Sequence, residues 1–148
     1  MDPESVDRLR RVIGRLARQL NTSSTGEGLT PSQASVLGVL ARRGPLNLAA
    51  IADIEGLNPT MLSRVVGKLD EATLVQRVPD PSDLRTATVE ITARGRRIHE
   101  RVRAHRAAAV SGCLEQLPER RQATLVEALP ALEELAAELK RANSTLPR

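Results

Sequence analysis

The chain has 148 residues, a formal charge of +4 from 22 basic and 18 acidic side chains, one Cys, and no Phe, Tyr or Trp. That length supports one domain with a core of its own, not two independent ones. The missing rings argue against readers of RNA or single strands, which stack bases on aromatic side chains, and a single Cys excludes an internal disulfide.

The N-terminus, Met1-Asp2-Pro3-Glu4, shows neither a basic stretch nor an apolar leader core, and no run approaches the roughly 18 apolar residues of a membrane helix; a cytoplasmic protein is expected. Val6, Leu9, Ile13, Leu16 and Leu20 step by three and four, which predicts a helix over about 5–21 with a narrow apolar seam. Asn21 to Gly28 is a polar linker. Thr30 then caps a second helix, with Pro31 at its first position and Gln33 completing a capping box, and Val36, Leu37 and Leu40 turned inward before Gly44-Pro45 ends it. A short helix from Leu48 to Glu55 buries Leu48, Ile51 and Ile54 and stops at Gly56.

Asn58 caps the next helix, and Pro59 suits its first position, where a missing N–H costs nothing. At 100° per residue, Thr60, Ser63, Arg64, Gly67 and Lys68 share one side, while Leu62, Val65, Val66 and Leu69 lie opposite and must be buried. Asp70 and Glu71 are pushed to the end. A face of hydroxyls and long cations suits phosphates and base edges, although alone it is equally a solvated surface. The strand pair behind it tips the balance. Leu74–Val78 and Ala87–Ile91 are β-prone, and the intervening Val78-Pro79-Asp80-Pro81-Ser82-Asp83 should not continue a ladder, leaving a stiff projecting tip. There Asp83 is close enough in sequence to steady the Arg85 guanidinium. The short helix, the Gly56-Leu57 turn and the polar-faced helix make a helix-turn-helix with a hairpin behind it.

A long helix can run from Thr92 to Leu117, where Pro118 breaks it. The last helix carries Leu125, Leu129, Leu132, Ala136 and Leu139, with Pro130 predicting a kink or break near Leu129. The terminal seams either pack on each other within one chain or, as preferred here, interleave in a two-fold dimer. The excess of +4 lies in residues 58–106, which hold 10 basic and 6 acidic side chains, where a phosphate-contacting surface would place it. His99 and His105, six apart on one helix, point to different sides and complete no metal site; Cys113, on an apolar face, is expected to be a buried, inert thiol. No catalytic, phosphate-loop or dinucleotide motif is present, so neither an enzyme nor a cofactor is expected.

The run Asn58–Glu71 resembles the recognition helix of MarR-type (multiple antibiotic resistance regulator) transcription factors. Leu74–Arg77, Asp83-Leu84-Arg85, Val89-Glu90-Ile91 and Thr92-Ala93-Arg94-Gly95 come after it in that family's order and spacing, and Leu29–Leu37 is similar to its second helix. The resemblance covers nearly the whole chain. It implies a mainly α (α+β) single domain over 1–148: a winged helix-turn-helix head at about 30–92, with dimerisation helices at about 5–21 and 93–142. DNA contacts are then expected from Asn58, Thr60, Met61, Ser63, Arg64 and Lys68 on the helix and from Arg77, Asp83 and Arg85 on the wing. The implied partners are a palindromic double-stranded operator, a second copy of the chain and a small amphipathic ligand, with no membrane. Leu20, Val36, Leu40 and Val102 are the expected walls of the ligand site, between the dimer helices and the head. The chain departs from the family pattern at Thr73, where Gly is usual, so a tighter or shifted exit from the recognition helix is expected. Alternatives are a regulator without a ligand and a winged helix that binds protein; Arg64, Lys68 and Arg85 argue against the latter, since such faces favour apolar anchors.

Overall fold

The computed structural model describes residues 1–22, 25–83 and 86–145. They form two compact units, Met1–Ala107 and Ala108–Arg148. The first holds α1 (Pro3–Thr22), α2 (Pro31–Arg43), β1 (Leu46–Asn47), α3 (Leu48–Glu55), α4 (Pro59–Glu71), β2 (Val75–Pro79), β3 (Ala87–Ile91) and most of α5 (Ala93–Leu114); the second holds the end of α5 and α6 (Glu119–Thr145).

Local chemistry sets most boundaries. The Thr30–Gln33 capping box closes in both directions, with Gln33 N–H donating to Thr30 Oγ1 at 3.2 Å and Thr30 N–H to Gln33 Oε1 at 2.9 Å. Asn47 caps α3 and Asn58 caps α4, each accepting from a backbone N–H at 2.8 Å. Gly56 ends α3 at φ 66°, in the left-handed region where a missing Cβ removes the penalty.

The exit of α4 differs from the sequence expectation. The turn is neither tighter nor shifted: Thr73 itself adopts φ 58°. Leu74 N–H reaches back to Leu69 O at 2.9 Å and Thr73 N–H to Asp70 O at 2.8 Å, the paired bonds of a Schellman motif. Hydrogen bonding thus holds a β-branched residue in a conformation it disfavours.

The sheet also exceeds expectation, having three antiparallel strands in the order β1-β3-β2. β1 is only Leu46–Asn47, paired with Val89 and Thr88. The β2–β3 ladder runs past Val78 to Pro79 opposite Ala87, because β2 is an edge strand where a residue without a donor is tolerated. The core of the head joins both layers: Val36, Leu37, Leu40, Ile51, Leu62, Val66 and Leu69 from the helices meet Leu74, Val75, Val89 and Ile91. Ile54, expected inside, is 43% exposed, whereas Leu48 packs on the core.

α5 starts at Ala93, with Thr92 Oγ1 accepting from Gly95 N–H at 3.0 Å. Gly95 is required there: a Cβ would stand 2.0 Å from Leu74 O and 2.8 Å from Ile91 Cγ1. α5 ends at Leu114, three residues short of the expected Leu117, and turns through Glu115–Leu117. α6 runs unbroken through Pro130, so of the kink or break expected near Leu129 the break does not occur; a long helix absorbs the loss of one N–H. Cys113 is exposed, against the expectation of burial. Both terminal seams are open in the single chain: Val6, Ile13, Leu16 and Leu20 on α1 are 39–57% exposed, and Leu125, Leu129, Leu132 and Leu139 on α6 are 37–55% exposed.

Candidate nucleic-acid interface

α4 is anchored by Leu62, Val66 and Leu69, all within 1% of complete burial. Because these residues recur at helical spacing, fixing them also fixes which side faces outward. That side presents Thr60, Ser63, Arg64 and Lys68, with Met61 beside them, and all five are exposed to solvent. Gly67 lies between the cations, with nothing within 4 Å of where a Cβ would stand, so a partner can approach the backbone closely. Asn58 is at the entry, but its Oδ1 is committed to capping Met61 N–H, leaving its amide donors for a phosphate.

The two cations differ. Arg64 makes no hydrogen bond or ion pair among the described residues, so its fork of donors is available for a bidentate acceptor. Lys68 Nζ is 3.0 Å from Glu71 Oε2, both side chains being about two-thirds exposed. Such a surface pair contributes roughly 1 kcal/mol at most, so a phosphate can displace it. Sequence alone places Glu71 at the end of the helix without revealing this pairing.

The wing rises from β2 and β3. Arg77, opposite Val89, is exposed on the same side of β2 as the buried Val75. On the other side, Gln76 Nε2 donates to Glu90 Oε1 across the ladder. At the tip, Asp80 Oδ1 accepts from Ser82 Oγ at 2.7 Å and Ser82 N–H at 2.9 Å, and these bonds hold the Asp80 carboxyl below the ordinary carboxylate range. Asp80 N–H donates to Thr86 O at 3.0 Å, and Thr86 N–H to Asp83 O at 3.1 Å. The tip is therefore built by Asp80, a role not anticipated from the sequence although Asp-Pro-Ser is a recognisable side-chain-to-backbone turn. Asp83 is exposed beside it; Leu84 and Arg85 lie outside the described residues, and with them the expected Asp83–Arg85 pair.

A further cation joins this region through the strained turn. Arg94 Nη1 donates to Thr73 Oγ1 at 3.1 Å, which ties the first turn of α5 to the exit of α4. Of the four expected ligand walls, Val36 and Leu40 are wholly buried in the core of the head, Leu20 is 48% exposed on α1, and Val102 borders a cleft between α2 and α5.

Comparison with known proteins agrees with this geometry. Residues 29–87, from the approach to α2 through the start of β3, match the MarR family model. An uncharacterised helix-turn-helix-type transcriptional regulator of Mycobacterium leprae is 33% identical over 105 residues, covering 71% of each chain. The transcriptional repressor MdtR of Bacillus subtilis is 26% identical over 111 residues, covering 75% of this chain and 72% of its own. Among solved structures, Rv1404 from Mycobacterium tuberculosis superposes with a TM-score of 0.77 at 28% identity, covering 93% of this chain and 95% of its own.

Proposed function

Because the chain belongs to the MarR family of winged helix-turn-helix transcriptional regulators, we propose that it acts as a homodimeric repressor that reads a palindromic operator with two heads and releases it when a small ligand binds. The observation that carries this reading is the outward face of α4, where Thr60, Ser63, Arg64 and Lys68 point away from a helix locked from behind by its own leucines and valines. A major groove about 12 Å wide admits such a helix, and Arg64 has the donor geometry for guanine O6/N7 or a phosphate. The wing comes directly after it in sequence, and Arg85, which follows Asp83 by two residues in the chain, is the cation we propose for the minor groove. Two observations support the dimer and the sign of regulation. The α1 and α6 seams leave leucines uncovered that a second copy would bury, and one relative is named a repressor.

The test is the response of operator binding to salt and to site geometry. Three or four cations per head on phosphates give a slope of log K against log salt of about −5 to −7, since each contact contributes about 0.9. Half-sites read by a rigid two-fold dimer lie about 10 base pairs apart, so inserting 5 base pairs turns one to the far side and affinity falls to the non-specific level. A slope near −2, or indifference to the insertion, would show one head binding alone.

A further inference from the structure

A second concentration of positive charge lies away from the α4 face, where α2 passes α5. Gly38 of α2 makes room for it. A Cβ at that position would stand 3.1 Å from Arg42 Nη1 and 3.3 Å from His99 Cε1, so the missing side chain lets both groups lie down on the helix. A cleft of about 190 Å³ opens there, and Arg103 and Arg106 enter it from α5. It adjoins a second cleft of about 290 Å³ that shares Arg42, His99 and Arg103 and adds Arg96 and Glu100. Four guanidinium groups thus face a single carboxylate, and Glu100 is already paired with Arg103 at 3.2 Å.

Arg106 makes this arrangement hard to read as packing alone. Its Nε and Nη2 are buried and have no hydrogen-bond partner among the described residues. Buried donors on a cation are strongly disfavoured unless an acceptor meets them. Here the nearest other charges gathered at the cleft are also positive, which adds repulsion to desolvation. An acceptor carrying more than one negative charge removes both costs together.

We propose that the α2–α5 cleft over Gly38 is a binding site for a compact polyanion, a phosphorylated or polycarboxylated small molecule held by Arg42, Arg103 and Arg106. The cleft is lined chiefly by cations rather than by the aliphatic walls expected for a ligand site, Val102 being common to both, and forked guanidinium donors supply the recognition. The His99 environment is consistent with it. Burial, opposed by Glu100 and reinforced by Arg103, Arg42 and Arg96, keeps the imidazole below its ordinary value, and a bound polyanion would raise it. The proposal rests on the ligand-release reading for what binding does to operator affinity, but not for occupancy of the cleft.

With no Phe, Tyr or Trp and only two His, the non-exchangeable aromatic proton resonances observed in D2O belong to His99 and His105 alone. The full chain is titrated near pH 6.5 with inorganic pyrophosphate, and separately with citrate, at constant ionic strength made up with chloride. The expected result is a saturable shift of the His99 Hε1 resonance toward the protonated position while His105 stays in place. The tighter of the two probes assigns the ligand to the phosphate or the carboxylate class. Arg106→Gln weakens binding at least tenfold, and Gly38→Ala, which suits a helix and fills the floor of the cleft, weakens it severalfold; unchanged helical circular dichroism verifies both folds. Arg120→Gln on α6 leaves it unaltered. Absence of saturation with both probes, equal movement of both histidines, or full affinity in both Arg106→Gln and Gly38→Ala overturns the site. So does the same His99 shift produced by a DNA duplex alone, which would assign the cleft to the DNA backbone. Pyrophosphate or citrate binding that leaves operator affinity unchanged confirms the site and overturns the ligand-release reading instead.

Discussion

Thr92 donates its hydroxyl to the Thr73 carbonyl at 2.7 Å, fastening the start of α5 to the left-handed turn that ends α4. The same hydroxyl oxygen accepts from Gly95 N–H at 3.0 Å, so one side chain both caps α5 and braces the turn. The orientation of α4, and with it the face carrying Arg64, is thereby set against the sheet and α5 rather than by its own core residues alone.

Thr73→Gly should stabilise the protein. A β-branched residue at φ 58° carries roughly 1–2 kcal/mol of steric penalty, and glycine loses that penalty at some cost in unfolded-chain entropy. A net gain of about 0.5–1 kcal/mol, or about 2–4 °C in Tm, is expected from thermal unfolding followed by circular dichroism. The bond between Thr73 Oγ1 and Arg94 is lost in this variant, so a fall in Tm would mean that the tether outweighs the strain.

Gly95→Ala should have the opposite and larger effect. With Leu74 O and Ile91 Cγ1 at 2.0 and 2.8 Å from the new Cβ, the backbone of α5 must shift away from the β2–β3 ladder. The expected loss is about 3 kcal/mol or more, read from denaturant midpoints, because the obstacle is backbone rather than a mobile side chain. An unaltered midpoint would refute the close packing of α5 on Leu74.

Arg64→Ala and Glu71→Gln separate recognition from charge. Removing Arg64 should lower specific operator affinity by about 1–3 kcal/mol and relax base preference, with little change for random DNA. Glu71→Gln frees Lys68 from its 3.0 Å partner and should slightly strengthen binding to every sequence, since the freed ammonium then meets phosphates without competition. Gel-shift titrations of the three proteins on operator and scrambled duplexes measure both effects. If Arg64→Ala binds both duplexes like its parent, α4 is not the reading helix.

Stability should depend on pH through His99. Its folded-state pKa lies below the ordinary 6.5, so the fold favours the neutral imidazole. That contribution is present above about pH 6.5 and is lost as pH falls through the lowered value. Denaturant midpoints of the parent and of His99→Asn should therefore diverge between about pH 7 and pH 5, with the parent losing more stability. Parallel curves would mean that His99 titrates alike in the folded and unfolded chains.

Helix caps were legible in the sequence because they are local. Thr30 with Gln33, Asn58 with Pro59, and Gly56 are each read within four residues, and each stands where expected. The outward face of α4 was legible for the same reason, since one strong 3.6-residue period decides both its sides. β1 was not: Leu46 and Asn47 have no strand pattern of their own and are extended by pairing with Val89 and Thr88, more than forty residues away. Thr73 was misread because hydrogen bonds from Leu74 and Thr92 override a local preference that sequence alone reports faithfully. The cationic cleft was equally hidden, since Arg42 and Arg106 become neighbours only when α2 passes α5 over Gly38.

The order β1-β3-β2 has a consequence for crowding on DNA. Both outer strands present unpaired backbone, which ordinarily invites another chain to add itself and seed aggregation. Here one edge is two residues long, and the other carries Arg77 at its centre and Pro79 at its end, so neither offers an uninterrupted, uncharged row of donors. Molecules aligned side by side along a duplex can hold their wings close together without polymerising through them, and the hairpin can remain exposed for the groove.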